Sequence, residues 1–121
     1  MAYAVQAAIT NPSLPSPAPI VYYIPEIHNS RGQVYFPELR THDTSKHQIV
    51  ADIASAQHDD VRRVIGINLA DGSSWDASKE IAGLVLDIVL QDEGRVPAWC
   101  IDFLEEHLGC NYVRTCERQA A

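Results

Sequence analysis

Basic residues are scarce in this chain of 121 residues. Nine lysines and arginines stand against sixteen aspartates and glutamates, which gives a formal net charge of −7 at pH 7. Nucleic acids and anionic membranes attract proteins through basic surfaces, because their phosphates carry negative charge. The charge balance therefore argues against direct binding to nucleic acid or to a membrane, and it favours a protein partner with a basic surface.

The chain also lacks a long apolar run and a regular cysteine spacing. Its longest apolar stretch, residues 81–90, is interrupted and too short to span a bilayer. The N-terminus has neither the basic nor the apolar region of a secretory signal. The three cysteines show no C-x-x-C spacing, which is typical of reduced thiols rather than of a disulfide framework. We therefore expect a cytoplasmic protein.

Catalytic motifs are missing as well. The sequence contains no phosphate-binding G-x-x-x-x-G-K-[ST] loop, no G-x-G-x-x-G, no G-x-S-x-G and no H-E-x-x-H. Cys100 and His107 fall on one side of the last predicted helix, but a buried thiol near Phe103 is a commoner arrangement than a Cys–His nucleophile. We predict that the protein is not an enzyme and that it needs no cofactor.

Histidine is the residue type that best suggests a metal. The candidate ligands are His42, His47 and His58 with the neighbouring Asp43 and Asp59. They lie on different predicted elements, whereas zinc ligands come at short repeated spacings, usually with cysteine thiolates. We therefore predict no metal site, and a small metal-dependent enzyme built on these residues is the least favoured alternative.

The sequence divides into a proline-rich N-terminal arm or linker (residues 1–19), a single domain (residues 20–114) and a frayed tail (residues 115–121). Four prolines in the arm favour polyproline II and exclude helix. Periodicity and turn residues predict these elements in the domain: a hairpin of strands 20–24 and 33–36, a helix from Asp43 or Thr44 to about residue 57, a strand over 61–69, a helix over 75–91, a helix between Pro97 and Gly109, and a further strand over 111–114.

These elements predict a small single domain of the α+β class. A short antiparallel sheet, made of the hairpin plus one strand, packs against about three helices, and the 75–91 helix is central because it is apolar on nearly all sides. Pro25 and Pro37 are expected to end the hairpin strands, since proline cannot donate to a ladder. Alternation places Val61 on the same face of its strand as Ile65, with Val64 on the other.

The net charge is concentrated in one part of the chain. Residues 71–109 hold nine acidic residues and only Lys79 and Arg95 as bases, which is −7. Acids near a helix N-terminus are stabilised by the helix dipole, but that effect is confined to the first turn. It leaves six carboxylates unexplained, and like charges one turn apart cost a few tenths of a kcal/mol per pair. The candidate partner-binding residues are Asp87, Asp92, Glu93, Asp102, Glu105 and Glu106.

Residues 50–85, about a third of the chain, carry a recognisable pattern. The segment 52–57 reads D-I-A-S-A-Q, a strand begins V-R-R-V-I at residue 61, and 76–82 reads D-A-S-K-E-I-A. This order resembles small uncharacterised accessory proteins carried by proteobacterial plasmids and integrated mobile elements. Members of that group usually have an arginine where this chain has Trp75. The resemblance implies a mobile-element context, in which small acidic proteins without catalytic motifs are often antagonists of host defence, such as anti-CRISPR proteins; that last step is analogy.

Two hypotheses of different kinds follow. The favoured one is a non-enzymatic binding protein, an inhibitor of a host-defence or nucleic-acid-handling complex, that docks through the acidic surface of its last two helices. The alternative is a structural or regulatory homodimer that uses the apolar 75–91 helix as its interface. An acidic helical surface can also be no more than a solvated face.

Overall fold

The computed structural model describes residues 20–37, 44–58 and 60–120, so the arm of residues 1–19 and the candidate residues His42, Asp43 and Asp59 lie outside it. Its elements are β1 (Val21–His28), β2 (Val34–Tyr35), α1 (Lys46–Ala54), β3 (Val61–Asn68), β4 (Ser73–Asp76), α2 (Ser78–Glu93), α3 (Ala98–Leu108) and α4 (Cys110–Ala120). The strands form an antiparallel sheet in the order β2-β1-β3-β4. The predicted α+β class is confirmed, with four strands and four helices in the described part.

β1 is longer than predicted because it continues through Pro25. Val64 lies opposite Pro25. The backbone N–H of Val64 donates to the Ser78 hydroxyl, and its carbonyl accepts from the Ala77 N–H. The backbone of Val64 therefore points away from β1, and that of Pro25 must point away from β3. β2 pairs only with Ile27 and His28. The missing N–H of Pro25 thus costs no hydrogen bond to a described strand, and the prediction that it ends the strand is wrong.

A β-bulge changes the faces of β3. Glu26 pairs with Arg63 but the next residue, Ile27, pairs with Val61, so Arg62 is an extra residue in the ladder. Val61 and Val64 consequently share the buried face, and the expected alternation of Val61 with Ile65 is wrong. The helices cover this buried face, which also carries Tyr23 and Ile27 of β1.

α2 is the central helix, as predicted, although it begins later. It contacts α1, α3, α4 and β3, and its buried residues are Ser78, Ile81, Ala82, Val85, Leu86 and Val89. Residues 73–76 form a strand because Gly72, at φ 74°, turns the chain back onto β3. Asp76 then accepts a hydrogen bond of 2.9 Å from the Ser78 N–H and so lies before the helix, not within it.

The C-terminal part differs most from expectation. α3 lies between Pro97 and Gly109 as predicted, and Gly109 ends it at φ 89° with its N–H bound to the Glu105 carbonyl. A strand over 111–114 is wrong, since residues 110–120 form α4, and this helix also occupies most of the expected frayed tail. Val113 is completely buried in the core, which holds α4 against α2 and α3.

None of the helices in the described residues is long and apolar enough to cross a membrane.

Candidate docking groove

A groove lies where the C-terminal ends of α1 and α2 meet the first turn of α3. Its volume is about 240 Å³, and we call it the Trp99 groove. It is lined by Ala54, Ser55, Ile88, Val89, Asp92, Glu93 and Trp99. Its floor is apolar and two adjacent carboxylates stand at its edge.

Trp99 is exposed yet fixed in place. Its side chain is 56% exposed, but its indole Nε1 donates a hydrogen bond of 3.0 Å to the Ala54 carbonyl at the end of α1. The last carbonyls of a helix have no partner within the helix and must find one elsewhere. The indole supplies such a partner, so a large apolar ring is held at the surface with little freedom left to lose on binding.

The loops on either side of the groove are also held by backbone geometry. α1 ends where Ala56 takes a left-handed conformation at φ 62°, and α2 ends at Gly94 with φ 72°. The segment that joins α2 to α3 is fixed by a hydrogen bond of 2.8 Å from the Val96 N–H to the Glu117 carboxylate on α4. Hydrogen bonds therefore tie α3 to the end of α1, and the connection between α2 and α3 to α4.

Five of the six predicted partner-binding carboxylates are exposed on the helices that form the groove. Asp92 and Glu93 line it directly, and Asp102 lines a smaller cavity of about 40 Å³ on the other side of Trp99. Glu106 is exposed one turn further along α3. In the described part of the chain, no ion pair includes Asp92, Glu93 or Asp102.

The structure separates three candidates from Asp92 and Glu93 to different degrees. Glu105 is on α3 but only half exposed. The carboxylate of Glu106 is 4.0 Å from the His107 Nε2, which in turn lies 2.7 Å from the Arg62 carbonyl. Asp87 is about 140° around α2 from Asp92 at 100° per residue. Its charge acts on Tyr112 of α4, whose pKa is raised first by a hydrogen bond with Cys116 and to a lesser degree by Asp87.

Arg62 offsets part of the acidity of α3. It forms an ion pair of 2.9 Å with Asp60, which is the main cause of the raised pKa of Arg62, and the charges of Glu106 and Asp102 contribute less. The acidic surface at the end of α3 is therefore weaker than a count of its carboxylates indicates. In the described part of the chain, Asp92 and Glu93 of the Trp99 groove have no basic neighbour of this kind.

The predicted alternative of a Cys100–His107 pair is not formed, and a metal site is considered only among the described residues. Burial raises the pKa of the Cys100 thiol to about 11, and the His107 Nε2 is 2.7 Å from the Arg62 carbonyl rather than paired with that thiol. Within residues 20–37, 44–58 and 60–120, no three histidine, cysteine or acidic side chains are grouped so that they could hold a metal ion. The His58 Nε2 instead lies 3.8 Å from the Asp52 carboxylate.

A buried carboxylate on the sheet is expected to make stability depend on pH. The hydrogen bond of 2.7 Å from Arg63 is the largest cause of the lowered pKa of Glu26, and burial opposes it. A carboxyl whose pKa is lower in the folded state stabilises the protein above its ordinary pKa, and this contribution is lost as the pH falls through the folded value. We expect the urea midpoint of the wild type to fall below about pH 5, and the difference between wild type and Glu26→Gln to shrink over the same range.

Arg63→Gln should reduce the pH dependence of stability that comes from Glu26, because Arg63 is the main cause of the lowered pKa of Glu26. Urea unfolding at a series of pH values, followed by circular dichroism, measures all three proteins. An equal difference between wild type and Glu26→Gln at neutral and at acid pH would contradict this assignment.

In comparisons with known proteins, no family model, no curated protein and no solved structure matches this chain. The resemblance to accessory proteins of mobile elements stays a prediction. Of the groove residues, sequence patterns identified the carboxylates but missed Trp99. No local pattern could have found it, because its partner is the Ala54 carbonyl, 45 residues away along the chain.

Proposed function

We propose that this chain is a non-enzymatic binding protein that holds a basic segment of a protein partner in the Trp99 groove. The observation that carries this proposal is a fixed, exposed tryptophan beside two carboxylates that have no described ion pair. Tryptophan is enriched among the residues that dominate binding energy at protein interfaces. Carboxylates around such an anchor select a partner by charge and speed its approach.

The size of the groove favours a side chain over a small-molecule ligand. Its volume of about 240 Å³ is below the range of about 300–1,000 Å³ that is usual for small-molecule and cofactor sites. An apolar side chain of the partner would pack on Ile88, Val89 and Trp99. Lysine or arginine residues beside it would reach Asp92 and Glu93, and Asp102 lies on the far side of the indole.

Unpaired acids at these positions have a cost for folding, which supports a role outside the folded chain. Asp92 and Glu93 are in the last turn of α2, where the helix dipole favours cations over anions. No basic residue lies in that turn to compensate. Helix formation therefore does not account for these two carboxylates, whereas a basic partner does.

The partner class follows from charge and, by analogy, from context. A basic surface of a complex that handles nucleic acid would complement this groove, and an inhibitor of host defence of the anti-CRISPR kind would act in that way. The acidic residues Glu105 and Glu106 would extend the contact along α3. This identification is a proposal that rests on charge and on the resemblance.

The experiment is affinity capture from a bacterial lysate on the immobilised chain, followed by mass spectrometry and by titration of the captured protein. Reversing the charge of the groove with Asp92→Lys and Glu93→Lys is expected to weaken binding at least about tenfold, and Trp99→Ala by a similar factor. Glu105→Lys with Glu106→Lys should act in the same direction. Raising the salt concentration should weaken the wild-type complex, since exposed charges are screened.

Asp87→Lys is the control on another side of α2, and its change of charge equals that of Asp92→Lys or Glu93→Lys made singly, so it is compared with each of these single variants. It should leave binding nearly unchanged, and all variants should keep the circular dichroism spectrum of the wild type. Binding that is unaffected by the Asp92, Glu93 and Trp99 changes would refute a partner site in the groove.

A further inference from the structure

The side of the sheet that faces away from the helices is apolar. Strand alternation places Tyr22 and Ile24 of β1 on this side, opposite Ile67 and Ile65 of β3. Phe36, directly after β2, completes a shallow hollow of about 230 Å³ with Ile24, Ile65 and Ile67. We call these five residues the open face.

An antiparallel sheet with one solvated side normally alternates apolar and polar residues, so that the outer side is polar. Here the outer rows are continued by Ile20 and Leu69, which are joined by a hydrogen bond of 2.9 Å from the Leu69 N–H to the Ile20 carbonyl and are both exposed. None of the described helices covers them. A contiguous patch of this kind marks an interaction site more often than scattered apolar residues do.

The charges beside the open face are mixed in sign. Arg63 and Glu26 form an ion pair of 2.7 Å there. Asp76 lies opposite Ile65 in the ladder. The hydrogen bond with Ser78 is the largest cause of the lowered pKa of Asp76, and the charge of Arg63 lowers it further. The six acidic candidates lie on α2 and α3, on the other side of the sheet. The open face is therefore a side on which two chains of the same negative net charge can approach each other with little repulsion.

We propose that the open face is the interface between two copies of this chain. An interface between identical chains related by a two-fold axis is self-complementary, so that each surface must suit itself. The open face meets this condition, because apolar rows meet apolar rows while Arg63 of one copy can face Asp76 of the other. A strongly basic partner would instead find more opposite charge on the helical side.

The area is that of a weak dimer. The sheet has two strands of eight residues and two shorter ones. With a rise of about 3.3 Å per residue and about 4.8 Å between strands, one side of it covers about 350–500 Å² per copy. The area buried on the two copies together approaches the value of about 1,000 Å² that a specific interface needs. Dimerisation is therefore expected at micromolar concentrations and not at nanomolar ones. This interface is independent of the Trp99 groove and differs from a dimer through α2, whose buried residues pack within the chain.

Sedimentation equilibrium of the full chain between about 1 and 200 μM tests the proposal. The mass is expected to rise to twice that of the chain, and Phe36→Ser with Ile67→Thr should weaken dimerisation at least about tenfold. Tyr112→Ser is the matched control, since Tyr112 is an aromatic side chain of nearly the same exposure (57% against 55% for Phe36) on α4. Phe36 lies outside any helix or strand, so Phe36→Ser alone tests the interface if the double variant fails to fold.

Salt distinguishes this interface from the groove. Between about 0.05 and 0.5 M NaCl, the dimer should change little, because its contact is mainly apolar and its facing charges are mixed in sign, whereas groove binding should weaken. A mass of one chain at about 200 μM overturns the proposal. This holds whether residues 1–19 or a different protein cover the open face instead. A dimer that is unchanged by Phe36→Ser and Ile67→Thr, or that is lost on Trp99→Ala, also overturns it.

Discussion

Ile81→Ala is expected to lower the free energy of unfolding by about 2–5 kcal/mol, a larger loss than a substitution at an exposed position should cause. Ile81 is completely buried in the first turn of α2, and it belongs to the core that joins this helix to α1 and to the sheet. Removing three carbons loses their transfer free energy and leaves a cavity, because a close-packed core relaxes only in part.

Leu84→Ala on the same helix is the matched comparison. Leu84 is 39% exposed and lies one turn further along α2. It should cost about 0.5–1 kcal/mol, since surface substitutions seldom exceed that range. Urea unfolding followed by circular dichroism at 222 nm measures both. Equal losses for the two variants would contradict the packing of α2 against α1 and the sheet.

Local signals in the sequence predicted those elements whose ends are marked by their own residues. α3 begins after Pro97 and ends at Gly109, both of which act through local backbone geometry. α1 was predicted in the right place, although its cap is Ser45, whose Oγ accepts from the Gln48 N–H, and not Asp43 or Thr44. Several capping residues in a row leave the helix start ambiguous by one or two positions.

Elements that depend on tertiary contacts could not be predicted in this way. The short run N-Y-V-R at residue 111 suits a strand by composition, but burial of Val113 against α2 and α3 holds it in a helix. The bulge at Arg62 appears in the sequence only as two successive arginines between Val61 and Val64, which strict alternation interprets as a change of face, so the faces on either side of it are assigned incorrectly. Both errors arise because the deciding contact lies far along the chain.

The candidate site shows the same limit. A count of charges identifies six carboxylates, and helical spacing already separates Asp87 from Asp92, but only the fold shows that Asp92 and Glu93 adjoin an exposed tryptophan. The Trp99 groove lies on the helical side of the sheet, and the open face lies on the other. A dimer through the open face would therefore leave both grooves accessible and would offer two equivalent sites to a basic partner.

Gly66→Ala is expected to destabilise the protein by about 1–3 kcal/mol, because the indole of Trp75 occupies the space above the glycine. A Cβ atom at residue 66 would lie less than 3 Å from three atoms of that ring. The ring would have to leave its edge-on contact with Tyr23, in which the centroids are 6.1 Å apart, and its hydrogen bond of 3.3 Å to Glu80. Those contacts join β4 to β1 and to the start of α2.

In a Trp75→Val background the same substitution should change sign. Trp75→Val removes the three atoms nearest to the added Cβ, and alanine in a strand is favoured over glycine by about 0.5–1 kcal/mol because it restricts the unfolded chain. Unfolding of the wild type, the two single variants and the double variant forms a cycle whose coupling energy isolates this contact. Additive effects, with a coupling energy near zero, would mean that the Trp75 ring does not pack on Gly66. Glycine at this position of β3 would then have another reason.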